Sequence, residues 1–206
     1  MAIALKDTYK TILTPSEETL FKDRNSKFFG YAFPVTSEAE VKEHIESLKK
    51  QHYQARHWCY AYVLGKEYEQ YRANDDGEPS NSAGAPIYGQ LQSYDVTNVL
   101  VVVVRYFGGT KLGVGGLINA YRTGAQNALE ASHIVEKTID IPFKVQFEYP
   151  LLNKVMRLIN DYKVTIINQH MEMNCVFTLA IRRKESEKVI NAFNEVYGIT
   201  LLEDED

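Results

Sequence analysis

The segment Arg105-Tyr106-Phe107-Gly108-Gly109-Thr110-Lys111-Leu112-Gly113-Val114-Gly115-Gly116-Leu117 holds five glycines between positions 108 and 116, with a cation on either side of the first pair. It follows the aliphatic run Val99 to Val104 and leads directly into a helical pattern. A strand, a glycine-rich loop and a helix start together make a receptor for anions. Glycines leave backbone N–H groups open and a helix start adds partial positive charge. Arg105 and Lys111 supply whole charges, so the anion-binding candidates here are Arg105, Gly108, Gly109, Lys111, Gly113, Gly115 and Gly116. The phosphate fingerprints do not match. Lys111 follows Thr110 and precedes Leu112, unlike a Walker loop, and the dinucleotide pattern would need a glycine where Ile118 stands.

A second segment, Asn74-Asp75-Asp76-Gly77-Glu78-Pro79-Ser80-Asn81-Ser82, crowds three carboxylates into a turn. Asp75, Asp76 and Glu78 can hold a hard cation, accept donors from RNA or peptide, or act as general bases. The plainer reading is an acidic loop capping a helix that starts after Ser80 or Ser82. In the third segment, Arg56-His57-Trp58-Cys59-Tyr60-Ala61-Tyr62, strand alternation sends His57, Cys59 and Ala61 one way and Trp58, Tyr60 and Tyr62 the other. Here the plainer reading is an aromatic core face with a satisfied histidine at its edge.

These segments need a scaffold. Strand-like runs fall near Tyr9–Leu13, Phe28–Val35, His57–Leu64 and Asn98–Val104. Ser37 with Glu40 forms a capping box for a helix whose buried stripe is Val41, Ile45 and Leu48. A second helix over about 114–131 sets Leu117, Tyr121, Ala125 and Ala128 on one face. From Asp140 the pattern changes. Val145, Phe147 and Tyr149 alternate with polar residues, and Leu152, Val155, Met156 and Ile159 follow at helical spacing. Two β-rich runs come next (163–170 and 173–182), then a helix with Val189, Ala192, Phe193 and Val196, with Gly198 as its cap and a last strand at 199–202. The order β-α-β-β-α-β is that of ferredoxin-like folds. The expectation is an α+β protein of two domains, 1–139 and 140–206.

Composition removes several classes. A chain of 206 residues, 45% hydrophobic and 24% charged, is not disordered. Its longest aliphatic run is far below the ~20 residues that span a bilayer, and the first residues lack the form of a signal peptide. Cys59 and Cys175 lie far apart in strand-like runs, which fits neither a disulfide scaffold nor a zinc site and points to the cytoplasm. No spacing implies a metal or cofactor. A net charge of −4 argues against bulk electrostatic binding of nucleic acid.

The strings Asp75-Asp76-Gly77-Glu78-Pro79, Ala83-Gly84-Ala85-Pro86 and Arg105 through Leu117 closely resemble the IMPACT/YigZ family, as do Ser26-Lys27-Phe28 and Ala55-Arg56-His57. The resemblance covers nearly the whole chain. It implies a first domain like the second domain of ribosomal protein S-five and a ferredoxin-like second domain similar to the last domain of translocating elongation factors. Eukaryotic relatives regulate translation by interfering with activation of an amino-acid-starvation kinase, through a further N-terminal domain. This chain starts directly in the motif-bearing domain, so the kinase role is not carried over. Ser82 stands where threonine is usual, and Asn119 where arginine commonly precedes Ala-Tyr, which weakens a phosphate-binding face on that helix.

Two functions remain open. One is a nucleic-acid or ribosome-associated binding protein in translation. Cations interleave with aromatics at Lys27-Phe28-Phe29, Arg56-His57-Trp58, Arg105-Tyr106-Phe107 and Tyr121-Arg122, so that rings stack bases while Lys27, Arg56 and Arg105 hold the backbone. The alternative is an enzyme acting on a phosphorylated or anionic small molecule, with His57, Asp75, Asp76 or Glu78 moving protons. A third reading has the motifs only lock the fold. Convergence of His57, the acidic loop and Lys111 on one pocket favours the enzyme; cations and aromatics along an open groove favour RNA.

Overall fold

The computed structural model describes residues 6–202, which pack as two compact units. The first, Tyr9–Lys137, contains most of β1 (Thr8–Ile12), then β2 (Thr19–Asp23), β3 (Ser26–Pro34), α1 (Glu38–Gln51), β4 (His57–Leu64), β5 (Gln70–Asn74), α2 (Gly84–Ser93), β6 (Val99–Tyr106), α3 (Gly113–Glu130) and most of β7 (Ile134–Thr138). β1 and β7 form a two-stranded sheet, and the five-stranded sheet runs β2-β3-β6-β4-β5. Every pairing in the larger sheet is antiparallel. The run that reads as uniformly apolar becomes the central strand. β6 is buried from Val99 through Arg105, as a strand covered on both faces must be.

Alternation divides the core in two. Phe28, Cys59, Ala61, Val101 and Val103 face α2 and α3, meeting Ile87, Leu91, Leu117, Tyr121 and Ala125. Tyr31, Tyr62, Val102 and Val104 face α1 and its stripe Val41, Ile45 and Leu48. The capping box at α1 forms, with Ser37 Oγ accepting from the Glu40 N–H at 3.3 Å. The helix after the acidic loop starts later than expected. It begins at Gly84, and neither Ser80 nor Ser82 caps it.

The second unit comprises residues 138–202 together with 6–8. It holds β8 (Asp140–Glu148), α4 (Leu152–Tyr162), β9 (Thr165–His170), β10 (Asn174–Arg182), α5 (Ser186–Asn194) and β11 (Ile199–Leu202). Its sheet order, β11-β8-β10-β9, is antiparallel throughout and is the split β-α-β arrangement. The module expected over 1–139 therefore does not include residues 6–8. Arg182 Nε donates to Asp7 Oδ2 at 2.7 Å and the Ile139 N–H to the Asp7 carbonyl at 2.8 Å, which ties them to the second unit. Gly198 also departs from expectation. α5 ends at Asn194 with Glu195 as its cap, and Gly198 (φ +90°) instead makes the turn into β11.

Candidate functional site

Arg105 is the last buried residue of β6, with 6% of its surface exposed. Register sets Phe28 of β3 and His57 of β4 directly opposite it, all on the face that α2 and α3 cover. A guanidinium so enclosed requires a counter-charge. Glu78 provides it, with Oε1 2.6 Å from Arg105 Nη1 and the two side chains 4% and 7% exposed. Tyr121 on α3 donates its hydroxyl to the same oxygen at 2.7 Å. The rings of Phe28 and Phe107 flank the guanidinium at 5.6 and 5.5 Å. Arg105 Nε is buried without an acceptor among the described residues. Burial, followed by the nearby Cys59 thiol and the Glu78 carboxylate, drives the Tyr121 phenol far above its ordinary pKa, so it stays a donor.

The three acids of the loop diverge. Asp75 caps α2 from eight and nine residues upstream, its Oδ1 accepting from the Ala83 and Gly84 N–H groups at 3.0 and 2.8 Å and its Oδ2 from the Asn81 N–H at 2.9 Å. Gly84 must be glycine for this closure, because a Cβ there would lie 2.6 Å from the Asn74 backbone nitrogen. Asp76 clips the loop to β4, with Oδ2 accepting from the Trp58 N–H at 2.7 Å. Only Glu78 turns into the interior. The expected cluster of three acids therefore does not assemble. Two side chains are spent on backbone donors and the third on an ion pair.

His57 Nδ1 faces the Asp76 carbonyl at 2.8 Å. A carbonyl only accepts, so the proton sits on Nδ1 and Nε2 is the nitrogen open to exchange. It lies 4.0 Å from Glu78 Oε1. Beneath it, the Cys59 thiol donates to the Asp75 carbonyl at 3.0 Å, and burial pushes its pKa well above the usual thiol range.

Beyond β6 the chain bends sharply. Gly108 passes against β3 so closely that a Cβ would lie 2.0 Å from the Asn25 carbonyl carbon, and its N–H donates to the buried Ser26 hydroxyl at 3.1 Å. Gly116 packs on Leu112, while the space around Gly109, Gly113 and Gly115 is open. α3 begins at Gly113, and its N-cap residue Leu112 makes no side-chain cap bond to the first amides. Lys111 is exposed and has no ion pair among the described residues. Glu78, Arg105, Phe107, Lys111, Gly113 and Leu117 help to line one cavity of about 370 Å³.

The expected anion receptor is thus only partly assembled. Arg105 is committed to Glu78, the Gly108 amide to Ser26, and Gly116 to packing; Lys111 and the start of α3 remain. Lys27 and Arg56 lie elsewhere. Lys27 pairs in register with Tyr106, one residue beyond Arg105, and Arg56 precedes His57, so alternation turns both exposed cations to the α1 side. The candidate cations do not share a groove. Tyr121 and Phe107 belong to the site, but Tyr121, expected both on the core face and beside Arg122 as a stacking ring, is fully buried and spends its hydroxyl on Glu78.

A two-unit α+β protein, whose first unit carries an acidic loop and a glycine loop joined through a buried Glu–Arg–Tyr triad, defines the class. The Impact N-terminal domain matches residues 24–129, which contain every residue of that triad. The chain belongs to the IMPACT family. It is 34% identical over 188 residues to IMPACT family member YvyE of Bacillus subtilis, covering 91% of this chain and 84% of that protein. It is 36% identical over 189 residues to an IMPACT family member of Haemophilus influenzae, covering 88% of each. A crystal structure described as that of a hypothetical protein superposes with a TM-score of 0.73 at 29% identity, over 98% of this chain and all of that one. Among the described residues no helix is long and apolar enough to cross a membrane.

Proposed function

We propose that this chain is a cytoplasmic RNA- or ribosome-binding protein acting in the regulation of translation, with the glycine-loop cavity as its contact for an unpaired nucleotide. The observation that carries the reading is the pairing of the free ammonium of Lys111 and the uncapped start of α3 with the ring of Phe107, which is 47% exposed, around one cavity. A phosphate placed on the first group and a base stacked on the second use both. Family membership supports the setting in translation, and two buried free cysteines suit a reducing compartment. The buried Glu78–Arg105 pair acts here as a rigid floor rather than as a contact.

Fluorescence anisotropy with structured and single-stranded RNA at two salt concentrations tests this. Lys111→Ala is expected to weaken binding and to reduce the salt slope by about 0.7 for a single strand. Phe107→Ala is expected to weaken binding without changing the slope. Binding no stronger than that of an acidic control protein refutes the proposal.

One observation favours the alternative of an enzyme on an anionic small molecule: Glu78 and Lys111 line a single cavity, with His57 Nε2 4.0 Å from Glu78 Oε1. Under that reading Lys111 holds the anion and His57 exchanges the proton. A thermal-shift screen of phosphorylated metabolites separates the two, because a bound ligand raises the melting temperature and a chain that only binds RNA ignores the panel.

A further inference from the structure

The α1 side of the sheet, opposite Arg105 and the glycine loop, carries a second cleft. α1 packs Val41, Ile45 and Leu48 on the middle of the sheet, while residues 70–73 of the edge strand β5 stay exposed. Between helix and edge lies a cavity of about 310 Å³. Trp58 and Tyr60, both half-buried, line it, and the Tyr60 and Tyr62 rings stand 6.4 Å apart with planes only 6° from parallel. Strand pairing sets Asn74 opposite Tyr60 and Arg72 opposite Tyr62, so polar groups border the rings.

Three acids, Glu38, Glu46 and Asp76, and three cations, Lys42, Lys49 and Arg72, line this cleft. Each of its acids already has a partner. Glu38 accepts the Tyr62 hydroxyl at 2.5 Å, Glu46 pairs with Lys49 at 3.3 Å, and Asp76 holds the Trp58 backbone N–H at 2.7 Å. Lys42 on α1 and Arg72 on β5 have no ion pair among the described residues and line the cleft as exposed cations. The Trp58 indole N–H is a buried donor without an acceptor among the described residues. Buried donors are nearly always satisfied, so an unpaired one on a residue that lines a cavity marks a place for a ligand's acceptor.

We propose that this cleft is a second ligand site, separate from the glycine loop, that takes a nucleoside monophosphate unit. The base stacks on Tyr60, an acceptor on its edge meets the in-plane indole N–H of Trp58, and the phosphate bridges Lys42 and Arg72. At about 310 Å³ the cavity is at the small end for ligand sites, which suits one nucleotide. That nucleotide is either free or an unpaired residue of an RNA strand.

Trp58 is the sole tryptophan, so its emission reports on this cleft alone. Adenosine 5′-monophosphate added to the full chain is expected to quench it saturably. Arg72→Ala and Lys42→Ala, both surface changes, are each expected to weaken the effect about tenfold, the loss typical of one charge-assisted contact. Adenosine binds more weakly, inorganic phosphate does not quench, and Lys111→Ala leaves the titration unchanged, which keeps this site distinct from the RNA contact proposed above. A short single-stranded RNA that binds more tightly than the mononucleotide, with the same dependence on Arg72, identifies an RNA strand as the source; equal or weaker binding identifies the free nucleotide. No saturable change at millimolar nucleotide, or a change indifferent to both substitutions, overturns the proposal.

Discussion

Replacing Glu78 by alanine leaves the Arg105 guanidinium and the Tyr121 hydroxyl facing the same void. Both partners of the ion pair are more than nine-tenths buried, so removing one leaves the other charge largely desolvated. Removing one member of such a pair costs about 3–5 kcal/mol, most of it the penalty of an uncompensated buried charge. For a chain of this length that corresponds to a fall in melting temperature of about 10 °C. Glu78→Gln keeps an oxygen for both donors but loses the charge, and is expected to cost about 1–3 kcal/mol. The deciding assay is urea denaturation followed through Trp58 and by circular dichroism, with a double-mutant cycle to Arg105→Met. Glu78→Leu with Arg105→Met removes both charges and should be far less damaging than the sum of the single changes. Additive single costs, or a cost for Glu78→Ala below about 1 kcal/mol, would show that the pair is not the anchor described.

Two other expectations follow from the geometry. Gly108→Ala places a methyl group 2.0 Å from the Asn25 backbone and is expected to abolish folding or sharply lower the melting temperature, whereas Gly115→Ala meets open space within α3 and should stabilise by up to about 1 kcal/mol in the same thermal scan. The imidazole of His52 is buried between Tyr31 and Tyr106, which lowers its pKa despite the opposing pull of Glu18. The unfolded state therefore binds more protons than the folded state just below the ordinary histidine pKa, and stability should fall as pH drops below about 6.5. His52→Gln should flatten that part of the stability curve; an unchanged acid limb would remove His52 as its cause.

Much of the scaffold is written in local pattern. The capping residues Ser37 and Glu40 and the stripe Val41, Ile45 and Leu48 define α1 without reference to anything distant. In the second unit the alternation along β8 and the helical spacing of Val155 and Ile159 state the element order outright. The strands β2 and β5 are not legible in this way. They are edge strands, and β5 is exposed along residues 70–73, so no apolar rhythm distinguishes them; their pairing partners hold them extended. The start of α2 escapes for a related reason. Its cap, Asp75, lies eight residues before the amides it serves, beyond the reach of any local capping signal.

By itself the sequence determined the central apolar strand, the helix faces, the two-part β-α order and the family, because each depends on the identity and spacing of neighbouring residues. Only the tertiary structure decided what the charged residues do. Strand register places Phe28, Arg105 and His57 in one row, and α3 lays Tyr121 over them. Burial there makes a counter-ion obligatory for Arg105, and Glu78 is the carboxylate that the loop closure delivers. A cation that spacing marks as free for ligand is thereby spent on the fold, since the free energy of a charge is set by its surroundings and not by its neighbours in the chain.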